Sequence, residues 1–327
     1  MNVLVTGGAG FLGGYAMAAL EAAGHTPIAY DIAPPDRAML SVAPALATRF
    51  RLGPIGDIER LFAVCRDDGI EAIVHTASRV GLEPSLEDPV GFYQTNIMGL
   101  VNVCEAARKF AMRKMISISS NAAYHKGSGD KLVETDPPFS VTAANPAAHY
   151  GTSKMAGEAI GMAYAAFQDV DFLALRVTAI YGFGMRAPMY IKPMVENAVL
   201  GRPTRFATGG PMKRDYTHVL DCCDAIVRAL DAPRLPDGEQ RIVNVAAGHA
   251  VTAAEVADIV RRLIPGADIE IGDTLTPLEE TNVKMRAPLD ITAAKRLLGW
   301  TPQWPIEDGI CQYADRFRQF SQDGGAA

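Results

Sequence analysis

Over the first half of the chain, short unbroken apolar runs alternate with stretches of helical periodicity. The runs are VLV at 3–5, IAY at 28–30, AIVH at 72–75, MISIS at 115–119 and FLALRV at 172–177. Runs of this length without polar alternation predict strands covered on both faces, as in a parallel sheet. Between them, residues 92–110 carry Tyr93, Ile97, Leu100, Val101, Cys104 and Ala107 at helical spacing, which predicts one amphipathic helix. Strands alternating with crossover helices predict an α/β chain built on a doubly wound parallel sheet. After about residue 180 the texture changes to Gly and Pro punctuation, as in YGFGMRAP at 181–188 and TGGPMKRD at 208–215. Further on, Thr252 and Glu255 fit a capping box ahead of the stripe Val256, Ile259, Val260 and Leu263. The expected division is a larger part, 1–178, rejoined by about 214–247, with a smaller α/β part from 179–213 and 248–327 packed directly on it.

Composition narrows the class without altering that outline. Of 327 residues, 49% are hydrophobic and 21% charged, which fits a soluble globular protein and excludes disordered or fibrous ones. A net charge of −6 with no lysine or arginine run argues against nucleic acid as a partner. The five cysteines show no C-x-x-C spacing, so no metal site is expected, and reduced thiols in the cytoplasm are the simplest expectation. The opening MNVLVTGG has no basic n-region and reads as a buried strand. No apolar run approaches the roughly 20 residues of a bilayer span, so no membrane association is expected.

Candidate chemistry begins where the first strand runs into TGGAGFLG at 6–13. Gly7 permits a tight turn, Gly10 lets the backbone approach a pyrophosphate, and Gly13 lets helix and sheet pack closely. The amides of Phe11, Leu12 and Gly13 then open a helix toward the anion. Asp31, ending the second expected strand, can accept hydrogen bonds from both ribose hydroxyls and repel a 2′-phosphate, which favours NAD over NADP. Asp57 and Ile58, in GDI after the third strand, are placed to reach the adenine. In YGTSK at 150–154, Tyr150 and Lys154 lie one helical turn apart on one face. A nearby ammonium favours the phenolate, so Tyr150 can remove a hydroxyl proton while hydride leaves the same carbon for the cofactor. Ser120, ending the strand MISIS, is expected to hold that oxygen.

These residues carry a family resemblance over nearly the whole chain. It resembles the extended short-chain dehydrogenases of the NAD-dependent epimerase/dehydratase type, typified by UDP-galactose 4-epimerase. TGGAGFLG at 6–13 is similar to the family's TGxxGxxG, HTAS at 75–78 to its H-x-A-[AGS], SSNAAY at 119–124 to SSxxVY, and YGTSK to its Tyr-Lys signature. RDYTHVLD at 214–221 and LGWTP at 298–302 complete the set. The resemblance implies a Rossmann sheet, NAD contacts from Thr76, Ala77, Ser78 and Asn96, and a homodimer formed by the helices around 92–110 and 150–167. In that contact Cys104, Ala107, Ala156 and Ala159 would allow close approach, although internal packing suits them equally.

The substrate is less legible. The family's dehydratases need an Asp-Glu pair after the catalytic hydroxyl residue, and its decarboxylases need a glutamate there, whereas this chain has Asn121 and Ala122. Epimerisation by oxidation and re-reduction remains, as does plain alcohol oxidation. Ala179 and Tyr190 stand where nucleotide-sugar epimerases keep asparagines, Arg214 survives as a phosphate contact, and Arg286 lies near the expected RxGD loop without its Gly-Asp. Arg79, Ser85, Asn121, His125, His149, Tyr181 and Arg186 complete the candidate substrate contacts. The expected function is an NAD-dependent oxidoreductase or epimerase acting on a secondary hydroxyl of a sugar or nucleotide sugar. A dehydrogenase of a smaller polyol, hydroxy acid or uronate, and an NAD-sensing regulatory protein, are the alternatives.

Overall fold

The computed structural model describes residues 1–125, 129–145, 147–277, 279–280, 283 and 287–325. Seven strands form one parallel sheet: β1 (Asn2–Thr6), β2 (Thr26–Asp31), β3 (Phe50–Leu52), β4 (Ala72–His75), β5 (Lys114–Ser120), β6 (Phe172–Val177) and β7 (Ile242–Val245). Their order is β7-β6-β5-β4-β1-β2-β3. The chain runs outward from β1 through β2 to β3, then crosses back to place β4 on the other side of β1. That reversal opens a crevice at the carboxyl ends of β1 and β4, where doubly wound sheets bind ligands.

Both faces of the sheet are covered. Alternation along β1 sends Val3 and Val5 into a core with Ala16, Leu20, Val219, Ile226 and Trp300, and Leu4 into a second core with Leu100, Val103, Cys104 and Phe172. This two-sided burial explains why the strands read as continuous apolar runs. The short β3 is half exposed along its length and lacks such a run.

A third core buries Tyr181, Phe183, Ile191, Met194, Val256, Val260, Ile310 and Tyr313, with Tyr216 among them and Phe11, Ala38 and Val42 packed against it. Thr252 and Glu255 form the expected reciprocal capping box at the head of the helix Ala253–Leu263. Short strands Lys213–Arg214 and Val251–Thr252 pair antiparallel, joining the chain before β7 to the chain after it.

The single helix expected over 92–110 is broken into three pieces. A short helix Pro89–Tyr93 is followed by one π turn, Gln94–Met98, and then by α2 (Gly99–Lys109). The extra residue of a π turn locally rotates the helix face. Asn96 lies within it, and its buried amide is fully used, as described below. Cys104 and Ala107 pack inside the chain's own core, with Cys104 Sγ 3.8 Å from Met115 Sδ. No helix among the described residues is long and apolar enough to cross a membrane.

Candidate active site

The glycine turn sits at the mouth of the crevice. Gly7 has φ +69°, and a Cβ there would stand 2.7 Å from the Ala77 amide nitrogen. At Gly13 a Cβ would stand 2.1 Å from the Gly7 carbonyl oxygen, so only hydrogen fits between helix and turn. The following helix, α1 (Phe11–Ala22), begins at Gly10 without a side-chain cap or an acidic residue in its first turn. Its first amides and the positive end of its dipole therefore suit an anion. Asp31 stands beside this turn, one carboxylate oxygen accepting from the Ala9 amide at 3.0 Å and the other from Ile32 at 2.7 Å. Asp57 accepts from the Arg60 amide at 3.0 Å and caps the helix Ile58–Asp67. This cradle fits the pyrophosphate and ribose of a dinucleotide, with Gly7, Gly10, Phe11, Leu12, Gly13 and Asp31 as the groups to hold it.

Across the crevice, the segment after β4 is fastened to the same turn. Thr76 Oγ1 donates to the Thr6 carbonyl at 2.7 Å, and Thr6 Oγ1 lies 2.7 Å from His75 Nδ1. Burial holds the His75 imidazole neutral, its pKa lowered to about 3. Asn96 is the hub of this side. Its Oδ1 accepts from the Arg79 amide at 2.8 Å and from Ser78 Oγ at 3.2 Å, while its Nδ2 donates to the Arg79 carbonyl and to Ser153 Oγ, both at 3.0 Å. Ser153 in turn donates to the Tyr150 carbonyl at 2.7 Å. One amide thus joins residues 78–79 to the helix that carries Tyr150.

That helix, α3 (Ala148–Phe167), carries both Tyr150 and Lys154 in its first two turns. Lys154 is half-buried, donates from Nζ to the Ile118 carbonyl at 2.9 Å, and places its ammonium 5.9 Å from the centroid of the Tyr150 ring. Burial lowers its pKa to about 8, with the Glu158 carboxylate pulling the other way. At the end of β5, Ser120 Oγ accepts from the Ala122 amide at 3.1 Å and faces Asn121 Oδ1 at 3.4 Å. An ammonium beside a phenol, with a hydroxyl at the adjoining strand end, can move a proton on and off an alcohol oxygen.

The substrate candidates fare unevenly. Asn121 adjoins Ser120, and His149 Nδ1 lies 2.7 Å from the Tyr93 hydroxyl. Arg79 is engaged by Asp88 and stacks 4.7 Å over Phe92. Ser85 is fully buried and donates its hydroxyl to the Leu82 carbonyl, so it lines no cleft, because helix packing took it inside. Tyr181 is likewise buried, its hydroxyl 3.4 Å from the Ile306 carbonyl, and Arg186 pairs with Asp36 on the surface. His125 is half-buried and its amide bonds the Pro137 carbonyl. Ala179 has φ +38°, a left-handed conformation unusual for a residue with a Cβ. Tyr190 bonds Glu279 and packs edge-on to Phe206, close enough to Arg214 for that charge to oppose the upward push of burial on its phenol. Arg286 lies outside the described residues.

Two groups are given no role from the sequence. Glu158, one turn beyond Lys154, is buried and accepts from Arg176 Nε at 2.8 Å, Arg176 Nη2 at 2.7 Å and Ser119 Oγ at 2.5 Å. Arg176 also lies 4.3 Å over the Tyr124 ring. Two signals could have found the pair: Lys154 and Glu158 share a helix face, and an arginine inside the apolar run FLALRV requires a buried counter-charge. Asp215, held by the Gly248 and Leu289 amides and raised by burial to about 6, fixes the strand beside Arg214.

A Rossmann crevice with a glycine cradle and an adjoining Ser, Tyr and Lys set defines an NAD-dependent enzyme of the extended short-chain dehydrogenase class. Residues 3–246 match the model of the NAD dependent epimerase/dehydratase family, and the chain belongs to that family. It is 29% identical over 332 residues to UDP-glucose 4-epimerase of Mycolicibacterium smegmatis, covering 98% of this chain and all of the relative. It is 26% identical over 317 residues to UDP-glucuronate 4-epimerase of Thermodesulfobacterium geofontis, covering 94% and 93% of the two chains. The UDP-glucose 4-epimerase of Thermus thermophilus, solved in complex with NAD, superposes with a TM-score of 0.79 at 27% identity, covering 97% of this chain and 99% of that one.

Proposed function

We propose that the protein interconverts the C4 epimers of a UDP-hexose or UDP-hexuronate. The observation that carries this reading is the Tyr150, Lys154 and Ser120 arrangement beside the glycine cradle, without an acid pair at Asn121 and Ala122. Bound NAD would supply a hydride acceptor that later returns the hydride. Tyr150 takes the proton of the sugar hydroxyl, and Lys154 lowers the cost of the phenolate. Ser120 hydrogen-bonds the same oxygen, and the proton returns from Tyr150 after the sugar has turned in the cleft. Residues 1–178 with 214–247 would hold the cofactor, and 179–213 with 248–327 the substrate. Asp57, Ile58, Thr76, Ala77, Ser78 and Asn96 would line the cofactor, and Arg214 would meet the substrate's phosphates with Tyr190 and Ala179 nearby. Similarity to both a UDP-glucose and a UDP-glucuronate epimerase supports the nucleotide sugar and leaves the C6 group to experiment.

We extend the proposal to a cytoplasmic homodimer. Met98, Met162 and Phe167 are exposed by 52%, 37% and 82% near the helices expected to pair. Sedimentation should show twice the chain mass.

A smaller, nucleotide-free alcohol is the second reading, favoured by Tyr190, whose ring and bond to Glu279 occupy ground that an asparagine would leave open. The test is one assay. Purified protein should carry NAD, interconvert UDP-glucose with UDP-galactose or the corresponding uronates, and accumulate no NADH. Tyr150→Phe should retain NAD and lose about 10²–10⁴-fold in kcat. Net NADH formation with a nucleotide-free polyol or uronate, and none of the epimerisation, would establish the second reading.

A further inference from the structure

The two halves of the proposed proton-transfer site lie on different elements, Ser120 at the end of β5 and Tyr150 in the first turn of α3. Their separation is not set by helical spacing, as that of Tyr150 and Lys154 is. Lys154 on the Ile118 carbonyl and Glu158 on Ser119 tie the body of the helix to β5, while the half-buried Asn145 joins the turn after Ser120 to the start of the helix. Asn145 Nδ2 donates to the Ala122 carbonyl at 3.0 Å, and Asn145 Oδ1 accepts from the Ala147 amide at 2.7 Å. The Asn145 carbonyl also accepts from the Ala148 amide at 2.9 Å, holding Ala148 at φ +50°. That left-handed conformation is strained in a residue with a Cβ and persists only where its surroundings enforce it.

The chain of contacts is continuous. Ser120 Oγ accepts from the Ala122 amide, the Ala122 carbonyl accepts from Asn145, and the Asn145 turn launches the helix. Gly151 closes the junction, since its amide donates to the Ala147 carbonyl at 3.1 Å. A Cβ on Gly151 would stand 2.2 Å from Asn145 Oδ1 and 2.5 Å from the Ala122 carbonyl oxygen. The residue after Tyr150 is therefore glycine so that the helix can lie against the Asn145 amide. The amide serves both contacts at once, donating to one carbonyl and accepting from one N–H, whereas a carboxylate would present only acceptors to Ala122.

We infer that Asn145 is a positioning residue that sets Ser120 and Tyr150 at the separation needed to share one substrate oxygen. The inference rests on the proposed roles of those two residues. A displacement of about 1 Å at a reacting centre costs up to about 100-fold in rate.

The test compares full-length, NAD-bound Asn145→Ala and Asn145→Asp with wild type, each also in a Ser120→Ala background, using the UDP-hexose turned over by the wild type. Asn145→Ala should lower kcat by about 10- to 100-fold, with KM and NAD content unchanged. Asn145→Asp keeps the acceptor for Ala147 and should be no better. In the Ser120→Ala background, Asn145→Ala should cost less than about twofold, because the residue acts through the partner already removed. An equal factor in both backgrounds, or full activity in Asn145→Asp, would overturn the inference. Crystals of NAD-bound wild type and Asn145→Ala give a substrate-free answer, with the Ser120 Oγ to Tyr150 Oη separation expected to grow by about 1 Å. An unchanged separation refutes the positioning role. If the wild type turns over no UDP-hexose, the substrate reading alone fails and the crystals still decide this one.

Discussion

Glu158→Gln removes one negative charge while keeping the shape of the side chain, and the structure gives the consequence. Glu158 and Arg176 expose only 5% and 2% of their side chains, and the guanidinium meets the carboxylate through two nitrogens at 2.8 and 2.7 Å. Water cannot take over the role of the lost charge, so Arg176 is left as a buried cation without its hydrogen-bonded carboxylate. Breaking such a pair from one side costs about 3–5 kcal/mol. For a chain of this size that is about 4–7 °C in Tm. The double variant Glu158→Gln with Arg176→Met buries no charge and should recover most of the loss. Urea unfolding of all four proteins at one fixed NAD concentration measures the cycle. The fixed concentration matters because bound NAD itself stabilises the native state. The same substitution reaches catalysis through Lys154, whose pKa of about 8 is supported by Glu158 against the larger effect of burial. Without that carboxylate Lys154 loses its proton at lower pH, so the alkaline limb of kcat should move downward. A cost below about 1 kcal/mol for Glu158→Gln, or a double variant no more stable than the single ones, would refute the reasoning.

Other outcomes follow from the same physical picture. Gly13→Ala drives a Cβ to 2.1 Å from the Gly7 carbonyl oxygen, a backbone atom that cannot step aside, and should cost at least about 1.4 kcal/mol, tenfold, in NAD affinity. Fluorescence titration with NADH checks it, and wild-type affinity would count against the cradle. Acid should destabilise the fold from about pH 6.5 downward. Burial lowers His75 to about 3 and His218 to about 4, so below pH 6.5 the unfolded chain takes up protons that the native state refuses. Asp215, raised to about 6, acts oppositely over a narrower window, since its native form gains a proton first as pH falls from there toward its ordinary value near 3.8. Urea midpoints at pH 7 and pH 5 should therefore differ by less in His218→Asn than in wild type, and an equal drop in both would remove His218 from the account.

The sequence by itself determined whatever is local or repetitive. Five of the seven sheet strands were legible because burial on both faces makes them continuous apolar runs, and the glycine turn because its backbone tolerates no Cβ at Gly7 or Gly13. Tyr150 and Lys154 were legible because helical periodicity alone puts them on one face. Tertiary structure decided whatever depends on partners far along the chain. The half-exposed β3 has no run to announce it, and the π turn at Gln94–Met98 exists where the Asn96 amide meets residues 78–79 and Ser153. Ser85 and Tyr181 looked available and are buried by helices that pack over them. Arg176 found its counter-ion on another element, and Asn145 found Ala122, 23 positions earlier in the chain. Hydrophobic period and backbone sterics are written residue by residue. A hydrogen bond or ion pair between distant segments is chosen only once the sheet has brought them within reach.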